Sequence, residues 1–161
     1  MYKTNYSVKL TVIIMSIFTG IMFLGYIVLR TTVGSCPRFD PLDSIDVEAF
    51  KGVWYELQRD STIGFQTGEC VTAQYGDYEN DRVSVENVEY FPWDSTYAKI
   101  NGYATANTWY PGWINVFLAG VPFGADYRIV STDYTSYAIV YSCTSIGPVK
   151  YPEFSWLLTR D

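Results

Sequence analysis

The 161-residue chain holds 17 acidic and 11 basic residues, a formal net charge of −6, and no histidine. Its length accommodates one globular core and not two, and the missing imidazole removes the commonest general base near neutral pH and the commonest metal ligand, which disfavours enzymatic chemistry. The charge is split: residues 1–35 carry only Lys3, Lys9 and Arg30, whereas from Cys36 onward 17 acids face 8 bases, net −9. A domain so acidic lacks the clustered cations that phosphate neutralisation requires, which excludes nucleic acid as a partner.

The first element is an apolar run without a charge, residues 10–29, and about 20 residues of helix span the hydrocarbon core of a bilayer. Lys3 and Lys9 precede it, so the basic end stays in the compartment of synthesis and the rest of the chain crosses. This predicts a membrane anchor over residues 1–35 and a second domain over residues 36–161. The barrel then lies on the exoplasmic, lumenal or intermembrane-space side. Two rival readings are a cleaved signal peptide ending at Val33-Gly34-Ser35 and a lipobox in which Cys36 is lipidated. The length of the run and the position of Arg30 favour a retained single span.

Beyond Cys36 the pattern changes to short alternating or β-rich runs separated by turn residues. Fifteen Tyr, nine Phe and five Trp suit pleated, half-buried strands. Eight strands are predicted: 53–60, 70–78, 82–90, 97–106, 113–119, 125–131, 136–144 and 153–160. Asn80-Asp81 marks a tight hairpin, and residues 132–135 mark another. The expected fold class is therefore all-β, an eight-stranded up-and-down antiparallel barrel, a closed form that leaves no exposed edges and an interior for side chains or one small ligand. A two-sheet sandwich with an inter-sheet disulfide is the rival, but Trp54 precedes the candidate strand cysteines, the wrong order for it.

Gly52-Val53-Trp54-Tyr55-Glu56 in the first strand resembles the first signature of the lipocalin family. Thr132-Asp133-Tyr134 is similar to the second signature, and Leu157-Leu158-Thr159-Arg160 to the third. Gly68-Glu69-Cys70 and residues 137–144 look most like the apolipoprotein D branch and the bacterial outer-membrane lipocalins. The resemblance runs from Cys36 to Arg160 and implies a lipocalin barrel. Its structural signature here is Gly52, Trp54, Thr132, Asp133, Tyr134 and Arg160, with Arg160 stacked over the Trp54 indole to shut the narrow end. It also implies a disulfide between Cys36 and Cys143, which would contribute roughly 3 to 5 kcal/mol through chain entropy. That bridge requires an oxidising compartment and excludes lipidation of Cys36. Cys70 matches a cysteine whose tail partner has no counterpart in this sequence, so it is expected to be a free thiol on the outer face.

With Cys70 outward, period-two alternation turns Val71, Ala73 and Tyr75 into the barrel. Matching to the resembled branch adds Asn87 and Glu89 as polar groups that would orient a ligand, and Trp156 as a wall residue. Phe154 and Leu158 share the face of Trp156, and Val116, Leu118, Tyr127 and Ile129 complete the expected wall. Loops 61–68, 91–96 and 107–112, with Ile63, Phe65, Phe91, Trp93, Trp109 and Tyr110, are expected at the mouth as a lid or a contact surface. The reading predicts no catalytic residue, no metal and no cofactor beyond a bound lipid or other hydrophobic small molecule. A cysteine-dependent isomerase is disfavoured, because Cys70 faces out and Cys143 is bonded.

Lipocalins usually continue into a C-terminal helix on the outside of the barrel, and the sequence ends without one. The outer residues Tyr137, Ile139, Tyr141, Ser155 and Leu157 are then expected to be bare. This raises an alternative role, a structural accessory subunit of a larger membrane complex whose barrel is filled or holds a structural lipid.

Overall fold

The computed structural model describes residues 32–37, 42–107, 112–121, 124–146, 148–150 and 153–161. In chain order the elements are β1 (Thr32–Val33), α1 (Val47–Phe50), β2 (Gly52–Arg59), β3 (Glu69–Glu79), β4 (Arg82–Phe91), β5 (Thr96–Ala106), β6 (Trp113–Leu118), β7 (Ala125–Thr132), β8 (Tyr137–Ser142), β9 (Ser145–Ile146), β10 (Val149–Lys150) and β11 (Phe154–Thr159). Eight of them close into an antiparallel barrel in the order β11-β2-β3-β4-β5-β6-β7-β8. The short strands form a separate sheet, β1-β10-β9, which belongs to a compact unit of its own.

Each predicted strand is present, with ends shifted by one or two residues. The predicted 136–144 strand stops at Ser142, because Cys143 leaves the ladder for its disulfide. Two features escaped the sequence pattern. Residues 145–150, expected as a plain connector, carry β9 and β10. α1 is a single turn, too short to show a helical period, started by the Asp46 carboxylate accepting from the Ala49 N–H at 3.0 Å. The hairpin at Asn80-Asp81 forms as expected, with φ of 52° and 61°, the left-handed pair that a tight two-residue turn demands and that Asn and Asp tolerate.

The core lies at one end of the barrel. Trp54, Ile129, Ala138 and Val140 are fully buried, and Phe50 of α1 packs 4.9 Å from the Trp54 ring and 5.0 Å from Tyr75. The Trp54 indole N–H donates to the Phe50 carbonyl at 2.9 Å. Arg160 covers the other side, its guanidinium 3.7 Å from the Trp54 ring centre. It donates to the carbonyls of Tyr134 at 3.1 Å, Val53 at 3.0 Å and Ala49 at 3.1 Å. Gly52 has a φ of 97°, and a Cβ there would stand 3.2 Å from Arg160 Nη1, so glycine fits on both counts.

The bridge Cys36–Cys143 joins residues 107 apart in sequence, with Cα atoms separated by 5.8 Å. Beside it Arg128 is buried on the outer face of β7. Its guanidinium lies 3.7 Å over Trp113, pairs with Asp126 at 2.9 Å and donates to Pro37 O at 3.3 Å. The bridge and this arginine together hold the segment before α1 against the barrel wall.

The apolar run 10–29 lies outside the described residues. Among the described residues no helix is long and apolar enough to cross a membrane.

Replacing Cys36 with Ser should lower unfolding stability by about 2 to 5 kcal/mol. A denaturant titration under oxidising conditions checks this, and the native protein with reductant should lose the same amount. Equal midpoints for the variant and the oxidised native protein would contradict it.

Candidate functional site

Strand direction defines the two ends. β2 starts at Gly52 beside the Trp54–Arg160 contact and ends at Arg59, so the chain around Arg59 belongs to the opposite, open end. Following the antiparallel order, the described residues 60–68, 92–95, 119–121 and 124 lie at the open end, while 80–81, 107, 112 and 133–136 lie at the closed end. This corrects the expectation for residues 107 and 112, while residues 108–111 lie outside the described residues. β5 runs from mouth to floor, and its exit loop is pinned at the floor, with Asn107 N–H donating to Trp113 O at 2.9 Å and Gly112 closely backed by Leu42. Trp109 and Tyr110 lie outside the described residues. Of the remaining mouth residues, Phe65 and Trp93 are exposed, Phe91 lies 4.7 Å from the Trp93 ring, and Ile63 is buried rather than presented at the rim.

The register puts the expected wall residues on one face. Trp54 pairs with Ala73, Ala73 with Asn87, and Asn87 with Ile100; Tyr75 pairs with Val85, Val85 with Gly102, and Gly102 with Leu118. Directly opposed residues share a face, so Ala73, Tyr75, Asn87, Glu89, Val116, Leu118, Tyr127, Phe154, Trp156 and Leu158 all face inward with Trp54. Tyr75, Val116, Ile129 and Leu158 are buried in the packed lower half. Ala73, Asn87, Glu89, Leu118, Tyr127, Phe154 and Trp156 are half-buried in the upper half. Val71 is buried just after a bulge in β3, where Cys70 takes a φ of 48° and is an exposed free thiol.

Aromatic rings step up the interior from floor to rim. The phenols of Tyr75 and Tyr127 lie near one another in the interior and interact. Tyr127 lies 5.6 Å from Trp156, Trp156 lies 6.1 Å from Phe154, and Phe154 lies 5.3 Å from Phe65.

The polar groups divide into two kinds. Asn87 Oδ1 is buried and has no hydrogen-bond partner among the described residues. Glu89, expected to orient a ligand, instead accepts from the Gly68 N–H at 2.8 Å and so ties the mouth loop to the wall. A Cβ at Gly68 would fall 2.9 Å from the Glu89 side chain, so this close tether requires glycine. Three residues were missed by the sequence reading. Glu56 is buried on the inner face, where it pairs with Arg59 at 2.5 Å and accepts from Gln66 Nε2 at 2.9 Å. Gln66 Oε1 in turn accepts from the Trp156 indole at 3.1 Å, and Arg59 Nη2 donates to Gly68 O at 2.9 Å. Alternation from Trp54 already places Glu56 inward. Arg59 turns in because the pairing of β2 with β11 slips by one residue at Leu57, and no sequence signal marks that bulge.

Residues 45–161 match a family model described as a lipocalin-like domain. The chain belongs to the lipocalin family. It is 36% identical to apolipoprotein D of Cavia porcellus over 129 residues, covering 80% of this chain and 67% of the relative. It is 29% identical to the Lazarillo protein of Schistocerca americana, covering 82% and 63%. Among solved structures it resembles insecticyanin of Manduca sexta with a TM-score of 0.65 at 21% identity, covering 81% of this chain and 71% of that one. Lobster apocrustacyanin A1 superposes with a TM-score of 0.63 at 21% identity, covering 82% and 74%. Lipocalins bind small hydrophobic ligands and are carriers rather than enzymes.

Burial in this lipocalin's interior pushes the Tyr75 phenol up to about 12 and holds that of Tyr127 well above the ordinary range. A phenol raised by folding contributes stability that is fully present below its ordinary value of 10 and is lost as pH rises through about 12. Phenolate absorbance should show late-titrating tyrosines that include Tyr75 and Tyr127, with Tyr141, whose hydroxyl meets Glu153, also raised. The variant Tyr75→Phe should lose less stability than the native protein between pH 10 and 12. Ionisation of every tyrosine in one step with the fold intact would contradict this.

Proposed function

We propose that this lipocalin carries a small lipid-type molecule in the upper half of its barrel, anchored to a membrane by residues 10–29. The barrel is then presented on the exoplasmic, lumenal or intermembrane-space side, where the Cys36–Cys143 bridge is stable. The observation that carries the reading is Asn87 Oδ1, a buried acceptor on the inner wall without a partner among the described residues. A buried polar group left unpaired costs about 1 to 3 kcal/mol, and a ligand donor offsets that cost. Tyr127, Trp156 and Leu118 supply the apolar contact around it.

Titration with retinol or progesterone should quench tryptophan fluorescence through Trp156. Asn87→Leu should weaken binding of the hydroxyl-bearing ligand by about 5- to 30-fold, the equivalent of about 1 to 2 kcal/mol. No quenching by any apolar compound would overturn the reading.

The outer face favours a second reading, a structural accessory subunit within a membrane complex. Tyr55, Leu57 and Ile139 are exposed on β2 and β8, the two strands that flank β11. The bare surface is narrower than expected from sequence, because Tyr137 and Tyr141 are half-buried, their hydroxyls bonded to Ser131 and Glu153. A monodisperse monomer purified in mild detergent would count against this role.

A further inference from the structure

We infer that the cup selects an uncharged amphiphile with a hydroxyl headgroup and rejects the corresponding carboxylate, and that Glu56 and Glu89 set this preference. The inference rests on the carrier reading and adds the chemistry of the cargo. It follows from which polar atoms on the inner wall are already engaged. Both terminal nitrogens of Arg59 are occupied, Nη1 by Glu56 at 2.5 Å and Nη2 by Gly68 O at 2.9 Å. The Trp156 indole N–H is held by Gln66 Oε1 at 3.1 Å, and Gln66 Nε2 is held by Glu56 at 2.9 Å. The donors of Arg59, Gln66 and Trp156 are thus committed to holding the mouth loop in place. Beside them the inner wall presents three acceptor groups, Asn87 Oδ1 and the carboxylates of Glu56 and Glu89.

The charge balance points the same way. Two carboxylates and one guanidinium leave the upper wall net negative. A fatty or retinoic acid entering the cup meets that charge at short range in an environment of low polarity, where repulsion is poorly screened. To pair with Arg59 it must displace Glu56, whose side chain is only 7% exposed and would be left buried without its cation. An alcohol meets none of this. Its oxygen donates one hydrogen bond to Asn87 Oδ1, its chain lies along Tyr127 and Trp156, and the Arg59–Glu56–Gln66 contacts stay intact.

The test compares retinol with retinoic acid on the full chain in neutral phospholipid discs, referenced to empty discs, at about pH 8 where a carboxylic acid is ionised. Progesterone, which lacks both headgroups, reports whether the cup is open at all. The expected result is retinol binding at least about tenfold more tightly than retinoic acid. In Glu56→Gln, which frees Arg59 and removes one negative charge, the ratio should fall by about tenfold through a gain in acid binding. Glu89→Gln keeps the acceptor for Gly68 and should move the ratio the same way, which covers the case in which the first variant fails to fold. Progesterone binding together with equal affinities, or with acid preferred, overturns this inference and leaves the carrier reading standing. Failure of all three ligands overturns both.

Discussion

Arg160 reaches across the floor of the barrel, its guanidinium 3.7 Å from the Trp54 ring and hydrogen-bonded to carbonyls of α1, β2 and the turn before β8. Three stretches of chain remote in sequence, α1 with the start of β2, the turn before β8 and the end of β11, thereby meet at one side chain. The cation over the indole adds about 0.5 to 2 kcal/mol, but its larger effect is positional. The Trp54 indole N–H donates to Phe50 O, so the largest ring of the core has its polar edge paired and its face covered. With this end shut, the inward side chains around Trp54 pack into a buried floor, while those nearer the other end are only half-buried.

The change from floor to cup follows side-chain size and polarity along each inward row. On β4 the inward series runs Val83, Val85, Asn87 and Glu89 from floor to mouth, apolar where packing is tight and polar where it loosens. On β2 the series is Gly52, Trp54 and Glu56, which goes from no side chain, through the lid ring, to the buried acid of the mouth cluster. A mouth loop held by Glu56, Arg59 and Glu89 does not float over the cup. Its hydrogen bonds to the wall decide which polar atoms remain for a guest.

The strands and the inward faces of the barrel were legible because both rest on period-two alternation and on turn residues with a defined geometry, such as Asn80-Asp81. The motif resemblance supplied Trp54 with Arg160 and Cys36 with Cys143, contacts that no local pattern reveals because the partners lie more than a hundred residues apart. What escaped is of a different kind. The bulge at Leu57 that turns Arg59 inward, the one-turn helix α1, and the excursion through β9 and β10 each involve too few residues to produce a period. Residues 107 and 112 lie at the closed end for a simpler reason: loop position follows strand direction, which the apolar composition of a loop does not encode. Glu89 was correctly expected inward, yet its use by Gly68 depends on a loop path that alternation does not encode.

The account stands or falls on Arg160 and Trp54 acting as one unit. A double-mutant cycle with Arg160→Met and Trp54→Phe, read by denaturant unfolding, measures their coupling directly. A coupling of about 1 kcal/mol or more is the result predicted for a cation seated on an indole and bonded around it. Additive losses, with no coupling beyond experimental scatter, would mean that the two side chains do not close the barrel together.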